Sequence, residues 1–280
     1  FCDALVVDIR NLQLQKQENV ERDDEVVTSI EAARPYVFQV LTLASSIIKF
    51  SSDTRAIDTL HALVEQLGNL MFRPEDVSQW NPRDFDGYRF LCHEIFLGII
   101  AIALREDRFD VTDRMLSRPY LVNKEHRGDR ATDSFGVFQQ EIASFEHRNR
   151  RLSLGRSSLQ ADFLKKFHTS GIPNFDDLMQ ADFVLYLRFM ATKKGQTFDS
   201  WYPVTLVYAA SRYRPFPIFA RSESRDYFQR ICGTIGIPEL GEFKQLVTTL
   251  TEGERFVPRY DWNVLPVERL SNINQIATVD

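Results

Sequence analysis

The strongest pattern in the chain lies in Asp86–Arg108, DGYRFLCHEIFLGIIAIALREDR. Tyr88, Leu91, Cys92, Ile95, Ile99, Ile102 and Ala103 recur at three- and four-residue spacing, the period of one helix face. From Ile95 to Leu104 the opposite side is apolar too, through Leu97, Ala101 and Leu104. A helix apolar all round is buried, either in a large core or in lipid. A spanning helix needs about 20 apolar residues, whereas the uncharged run here is bounded by Glu94 and Arg105. The pattern predicts a core helix that emerges at both ends and around which the other segments pack. Asp86 is the expected cap, its carboxylate accepting from first-turn amides.

Upstream, the apolar run Ala4–Val7 fits a short strand or a helix end, and Gln13–Asp24 reads as a linker or solvated helix. The acids Glu21, Asp23, Asp24 and Glu25 suit a helix N-terminus, where the macrodipole favours negative charge. Glu25–Phe50 is helical with a break at Pro35, and Thr54–Met71 is an amphipathic helix. Short helices are predicted at Asp110–Leu116 and Phe135–Phe145, with Asn123–Asp133 as a charged loop. Short connections between these helices suit antiparallel packing.

After His147 the pattern changes. Leu152–His168 is basic, then helical; Asp176–Met190 is a helix with a broad apolar face. Trp201–Ala209 and Pro215–Ala220 read as two short strands around an Arg- and Pro-containing turn. A helix from a Ser cap is predicted over Ser222–Ile235 and another over Glu239–Leu250. Phe256–Leu265 is extended, and Val267–Ile276 is a last short helix. The expected fold is therefore mainly α. A helical bundle around the central helix fills 1–147, and a smaller α+β part with a few short strands fills 148–280.

Composition narrows the function. The chain has 280 residues with 44% hydrophobic and 26% charged side chains, which is ordinary for a globular protein. A net charge of −5 disfavours nucleic-acid binding by the whole surface, but not by a local patch. Cys2, Cys92 and Cys232 are far apart and lack metal spacing, as suits a reducing cytoplasm. The opening FCDALVVDIR carries no signal-peptide pattern and reads as the continuation of a longer polypeptide. No nucleotide-binding, hydrolase or metalloprotease motif is present, so neither cofactor nor metal is implied. His93–Glu94 lacks a second His at helical spacing, and His93 reads as a half-buried residue hydrogen-bonded locally.

Three constellations remain. Arg55 and His61, with five residues between, resemble the Arg–His signature of the helical HEPN ribonucleases, although Ala56 departs from the usual polar residue. The run HRNRRLSLGRSSLQA holds Arg148, Arg150, Arg151 and Arg156 without an acid, and Lys165 and Lys166 follow. Guanidinium forks suit phosphate; the plainer reading is a face neutralised by the N-terminal acids. Trp201, Tyr202, Arg212, Tyr213, Arg214, Arg221 and Arg225 interleave aromatics with arginine, as base-stacking surfaces do. The plainer reading places those aromatics in the core.

The phrases RNRRLSLGRSSLQADFLKKF, FDDLMQADFVLYLRF, WYPVTLVYA, PFPIFARSESRDYFQRI and DFDGYRFLCHEIFLGIIAIAL resemble the C-terminal region of bacterial multidomain antiviral defence proteins with a TIR-like head. The resemblance covers the chain from about Asp84 onward and brings no catalytic residues with it. It implies a non-catalytic sensing, regulatory or assembly region. The partners this leaves open are a TIR-like enzymatic domain or subunit, a phage protein or nucleic-acid trigger, and a second copy of the chain. A membrane is not among them.

Overall fold

The structure, a computed structural model, describes residues 2–12, 20–74, 78–122, 131–192, 201–210, 212–253, 257–260 and 263–280. It is mainly α-helical, with two short hairpins. The chain divides into two units. One comprises Phe1–Ile102 and Arg114–Gln160; the other comprises Ala103–Asp113 and Ala161–Asp280. The main division thus falls after Gln160 and not after His147, and the second unit also takes Ala103–Asp113 from within the first.

The first unit begins with α1 (Cys2–Arg10), which buries Leu5, Val6 and Ile9. α2 (Arg22–Ala32) carries Asp23, Asp24 and Glu25 in its first turn, as the macrodipole favours. α3 (Arg34–Phe50) starts afresh with Pro35 in its first turn, where a missing amide costs nothing. α4 (Thr54–Gly68) is capped by Asp53, whose side chain accepts from the Arg55 amide, and it continues as a 3₁₀ turn over Asn69–Met71. α5 (Asp86–Arg105) is the predicted central helix: every residue from Phe90 to Leu104 is buried. Among the described residues, the stretch Pro82–Arg105 alone is long and apolar enough to cross a membrane, and most of it lies inside the protein. Gly98 lets Leu41 of α3 approach, since a Cβ there would sit 2.7 Å from the leucine Cδ2.

Asp86 does not cap its own helix. Pro82 starts a 3₁₀ turn (Pro82–Phe85) that runs into α5, and Asn81 caps that turn in a capping box with Asp84. α6 (Phe109–Ser117) follows. Then β1 (Tyr120–Val122) pairs antiparallel with β2 (Ala131–Asp133), Tyr120 opposite Asp133. This hairpin sits in the half expected to be all helical, because three-residue strands carry too little alternation to be seen. Most of the loop predicted at Asn123–Asp133 lies outside the described residues, and its last three form β2. The helix expected over Phe135–Phe145 is a 3₁₀ turn (Phe135–Phe138) followed by α7 (Ala143–Arg151). α2 packs on α3 and α7, and α4 on α1, α3 and β1.

The second unit is organised on α9 (Phe175–Thr192), buried continuously from Leu178 to Met190, with α8 (Leu159–Phe167) before it. The two strands predicted next do not form. Trp201–Ala209 contains a 3₁₀ turn over Val204–Tyr208, and Pro215–Ala220 contributes to α10 (Pro217–Arg221). Pro203, Pro215 and Pro217 have no ladder donor. Val204, Thr205 and Leu206 are buried consecutively, not alternately. α11 (Arg225–Ile235) is capped by Ser224, two residues after the expected Ser222, and ends at Gly236 in the left-handed region. A Cβ at Gly236 would meet Arg188 Nη1 at 2.6 Å, so glycine is required twice over. α12 (Leu240–Thr251), a hairpin of β3 (Arg259–Tyr260) with β4 (Asn263–Val264), and α13 (Val267–Leu270) complete the unit. α11 and the 3₁₀ turn pack on α9, and α13 on α12.

Candidate functional site

The basic run is the first place to look. In the first unit, Arg151 Nη2 donates to Asp23 Oδ2 at 2.7 Å and to Asp24 Oδ2 at 2.8 Å. Arg148 also pairs with Asp24, and His147 Nδ1 lies 3.3 Å from Asp23 Oδ1. Asp23 is only 1% exposed, and burial would raise its carboxyl, yet Arg151, helped by His147, holds it below the usual range. This is a clasp between α2 and α7, in which α2's acidic first turn meets α7's basic last turn. It spends Arg148 and Arg151 on structure. Arg150 points to solvent. Asn149 closes the following loop by exchanging two hydrogen bonds with the Arg156 backbone. Lys165 and Lys166 belong to the second unit, where Lys165 Nζ sits 3.8 Å from the Tyr208 ring centroid.

The Arg55–His61 pair does not converge. Arg55 is solvent-exposed and paired with Asp53, whereas His61 is 5% exposed and stacks on Tyr120 at 4.2 Å. Six residues along a helix rotate the two side chains well apart. Burial also lowers the basicity of His61. His93, 1% exposed, has its Nδ1 3.2 Å from the Phe138 carbonyl oxygen, and burial lowers its pKa to about 4. Its neighbour Glu94 is fully buried and receives Arg34 Nη1 at 2.5 Å.

Two buried aspartates act as internal caps. Asp86 Oδ2 accepts the Ser144 amide at 2.8 Å, in the first turn of α7, while Oδ1 accepts Arg89 at 2.9 Å. Burial raises its pKa, and these donors act against that rise. In the second unit, Asp182 of α9 has no exposed surface. Its Oδ1 accepts Trp201 Nε1 at 2.6 Å, and its Oδ2 accepts the Thr205 amide at 2.9 Å and hydroxyl at 2.7 Å. Desolvation lifts the carboxyl to about 6 although all three donors favour the anion. Trp201 is therefore core, and this aspartate folds the segment predicted as a strand into a 3₁₀ turn. A lone buried Asp in an apolar helix gave no sequence signal of that role.

An open cleft of about 450 Å³ is lined by Arg188, Asp113, Thr192, Gln229, Cys232 and Gly236. Its cation is committed: Arg188 donates to the Gly233 carbonyl at the C-terminal end of α11, where a positive charge offsets the macrodipole. Among the described residues no group of His, Cys, Asp and Glu could hold a metal.

The remaining aromatic–arginine candidates are dispersed over the second unit. Tyr202 donates to the Arg259 carbonyl. Arg221 lies over Tyr227 at 4.7 Å and pairs with Asp107 at 2.8 Å, and Arg225 reaches the Asp280 side chain at 3.6 Å. Arg212 lies 4.6 Å over buried Phe216 and pairs with Asp176 at 3.4 Å. Tyr213 and Arg214 stand apart from these: both are exposed, Tyr213 at 84%.

Fold and site together define a mainly α protein whose buried polar side chains join elements distant in sequence. Comparison with family models, curated proteins and solved structures finds no match.

Proposed function

We propose that the chain is a non-catalytic sensor or regulatory module of a bacterial antiviral defence effector, working in the cytoplasm. It binds a trigger or partner and controls an associated enzymatic domain. The TIR-like character of that domain rests on the resemblance of the DFDGYRFLCHEIFLGIIAIAL and FDDLMQADFVLYLRF phrases. The observation that carries the reading is where the reactive side chains are spent. Asp23, Asp86, His93, Glu94 and Asp182 are all buried, and each is bonded to an element remote in sequence. Groups used as fasteners cannot reach a substrate, so the side chains left for recognition are at the surface. The test is turnover by the purified chain, offered NAD, RNA and single- and double-stranded DNA in turn. No consumption is expected. Activity that follows the protein through successive columns would overturn the reading.

A further inference from the structure

We propose that the turn at Tyr213, with Arg214 and Arg269, binds single-stranded nucleic acid by stacking one base on the tyrosine ring and holding the flanking phosphates. The idea rests on the recognition reading above and names its ligand class. The turn is anchored at both ends: the Arg212 amide donates to the Ala209 carbonyl at 3.0 Å, and the Phe216 amide to the Leu270 carbonyl at 3.2 Å. Arg212 braces it from below, its Nε donating to the Arg214 carbonyl at 3.2 Å while its plane covers Phe216. Asp176 neutralises Arg212, so that arginine is a support.

Arg269 comes from α13, with its guanidinium carbon 5.8 Å from the Tyr213 centroid and Nη2 donating to the Ala210 carbonyl at 3.2 Å. Arg214 and Arg269 are both exposed. The result is a solvent-facing ring with one cation, Arg269, beside it and a second, exposed Arg214, next along a braced turn. An aromatic face accepts any base, and arginine forks suit phosphate oxygens. A duplex, whose bases are already stacked, offers the ring nothing.

The measurement is fluorescence anisotropy of the whole chain with labelled oligothymidylate and oligouridylate of equal length, at several salt concentrations. Binding of either is expected, with the comparison deciding between DNA and RNA. Tyr213→Ala should weaken it at least about five-fold. Arg214→Glu should weaken it and flatten the salt dependence by about 0.7 in log–log slope, one phosphate's worth. Arg150→Glu makes the same charge change in the first unit and should leave affinity unaltered. All three positions are exposed, so circular dichroism should match the parent. Absence of binding, equal affinity for Tyr213→Ala, or a loss with Arg150→Glu as large as with Arg214→Glu would overturn the proposal. Those outcomes would leave the separate turnover test, and hence the regulatory reading, untouched.

Discussion

Asp182 shows what one residue can settle. Its carboxylate meets three donors from Trp201 and Thr205 inside the core of the second unit. Asp182→Asn would place an NH2 against one of those N–H groups, leaving a buried donor unmet. Such a loss costs about 2 kcal/mol. Urea denaturation at neutral pH should show a correspondingly lower midpoint. An unchanged or higher midpoint would mean that burying the charge outweighs the three bonds. Nothing in ADFVLYLRF distinguishes this aspartate from a surface one, because its meaning depends on Trp201 and Thr205 arriving from outside the helix. His93 was legible only in part: its place on the strongest helix suggested a half-buried, locally bonded residue, whereas it is fully buried and its Nδ1 sits beside the carbonyl of Phe138, 45 residues away.

Elements set by long periodicity were readable, and those set by tertiary bonds were not. α5, α9 and α12 emerge close to their predicted ranges because their apolar faces run for several turns. The two-residue and three-residue strands carry no such signal, and the 3₁₀ turn at Val204–Tyr208 has strand-like composition overridden by its contacts with Asp182. The α2–α7 clasp was legible as two opposite charge runs, the plainer reading setting the basic run against the N-terminal acids; which residue meets which was not, since 124 residues separate Arg148 from Asp24. The clasp yields a prediction for this scale. In Asp23→Asn/Asp24→Asn the arginines lose their partners, and retention on heparin should rise to higher salt, with a steeper salt dependence. Unchanged retention would show that Arg148 and Arg151 do not depend on those acids for neutralisation.

At the scale of the molecule, the two units should answer acid oppositely. His93, in the first unit, has a folded pKa of about 4 against an ordinary 6.5. Its contribution is present above 6.5 and is lost as pH falls towards 4, about 3 kcal/mol in all. His61 and Asp23, whose pKa values are also lowered, act in the same direction, and Asp86, raised by burial, opposes them. In the second unit Asp182 is raised from 3.8 to about 6. Its contribution is full below 3.8 and lost as pH rises through 6; exposed Asp110, held low by Arg108, opposes it only weakly. Native-state hydrogen exchange, corrected for intrinsic rates, should show α5 amides losing protection between pH 7 and pH 5 while α9 amides hold or gain it. Parallel loss in both helices would contradict this assignment of the buried groups. That Ala103–Asp113 belongs to the second unit was beyond the sequence, because no composition shift marks it.

Hydroxyl-radical footprinting with and without oligothymidylate bears most directly on the claim that buried charges fasten while exposed ones recognise. Protection should be confined to Tyr213 and its neighbours in 212–216 and 267–270, with 143–151 unaffected. Protection centred on the basic run at 148–156, with Tyr213 as reactive as in the free protein, would contradict it.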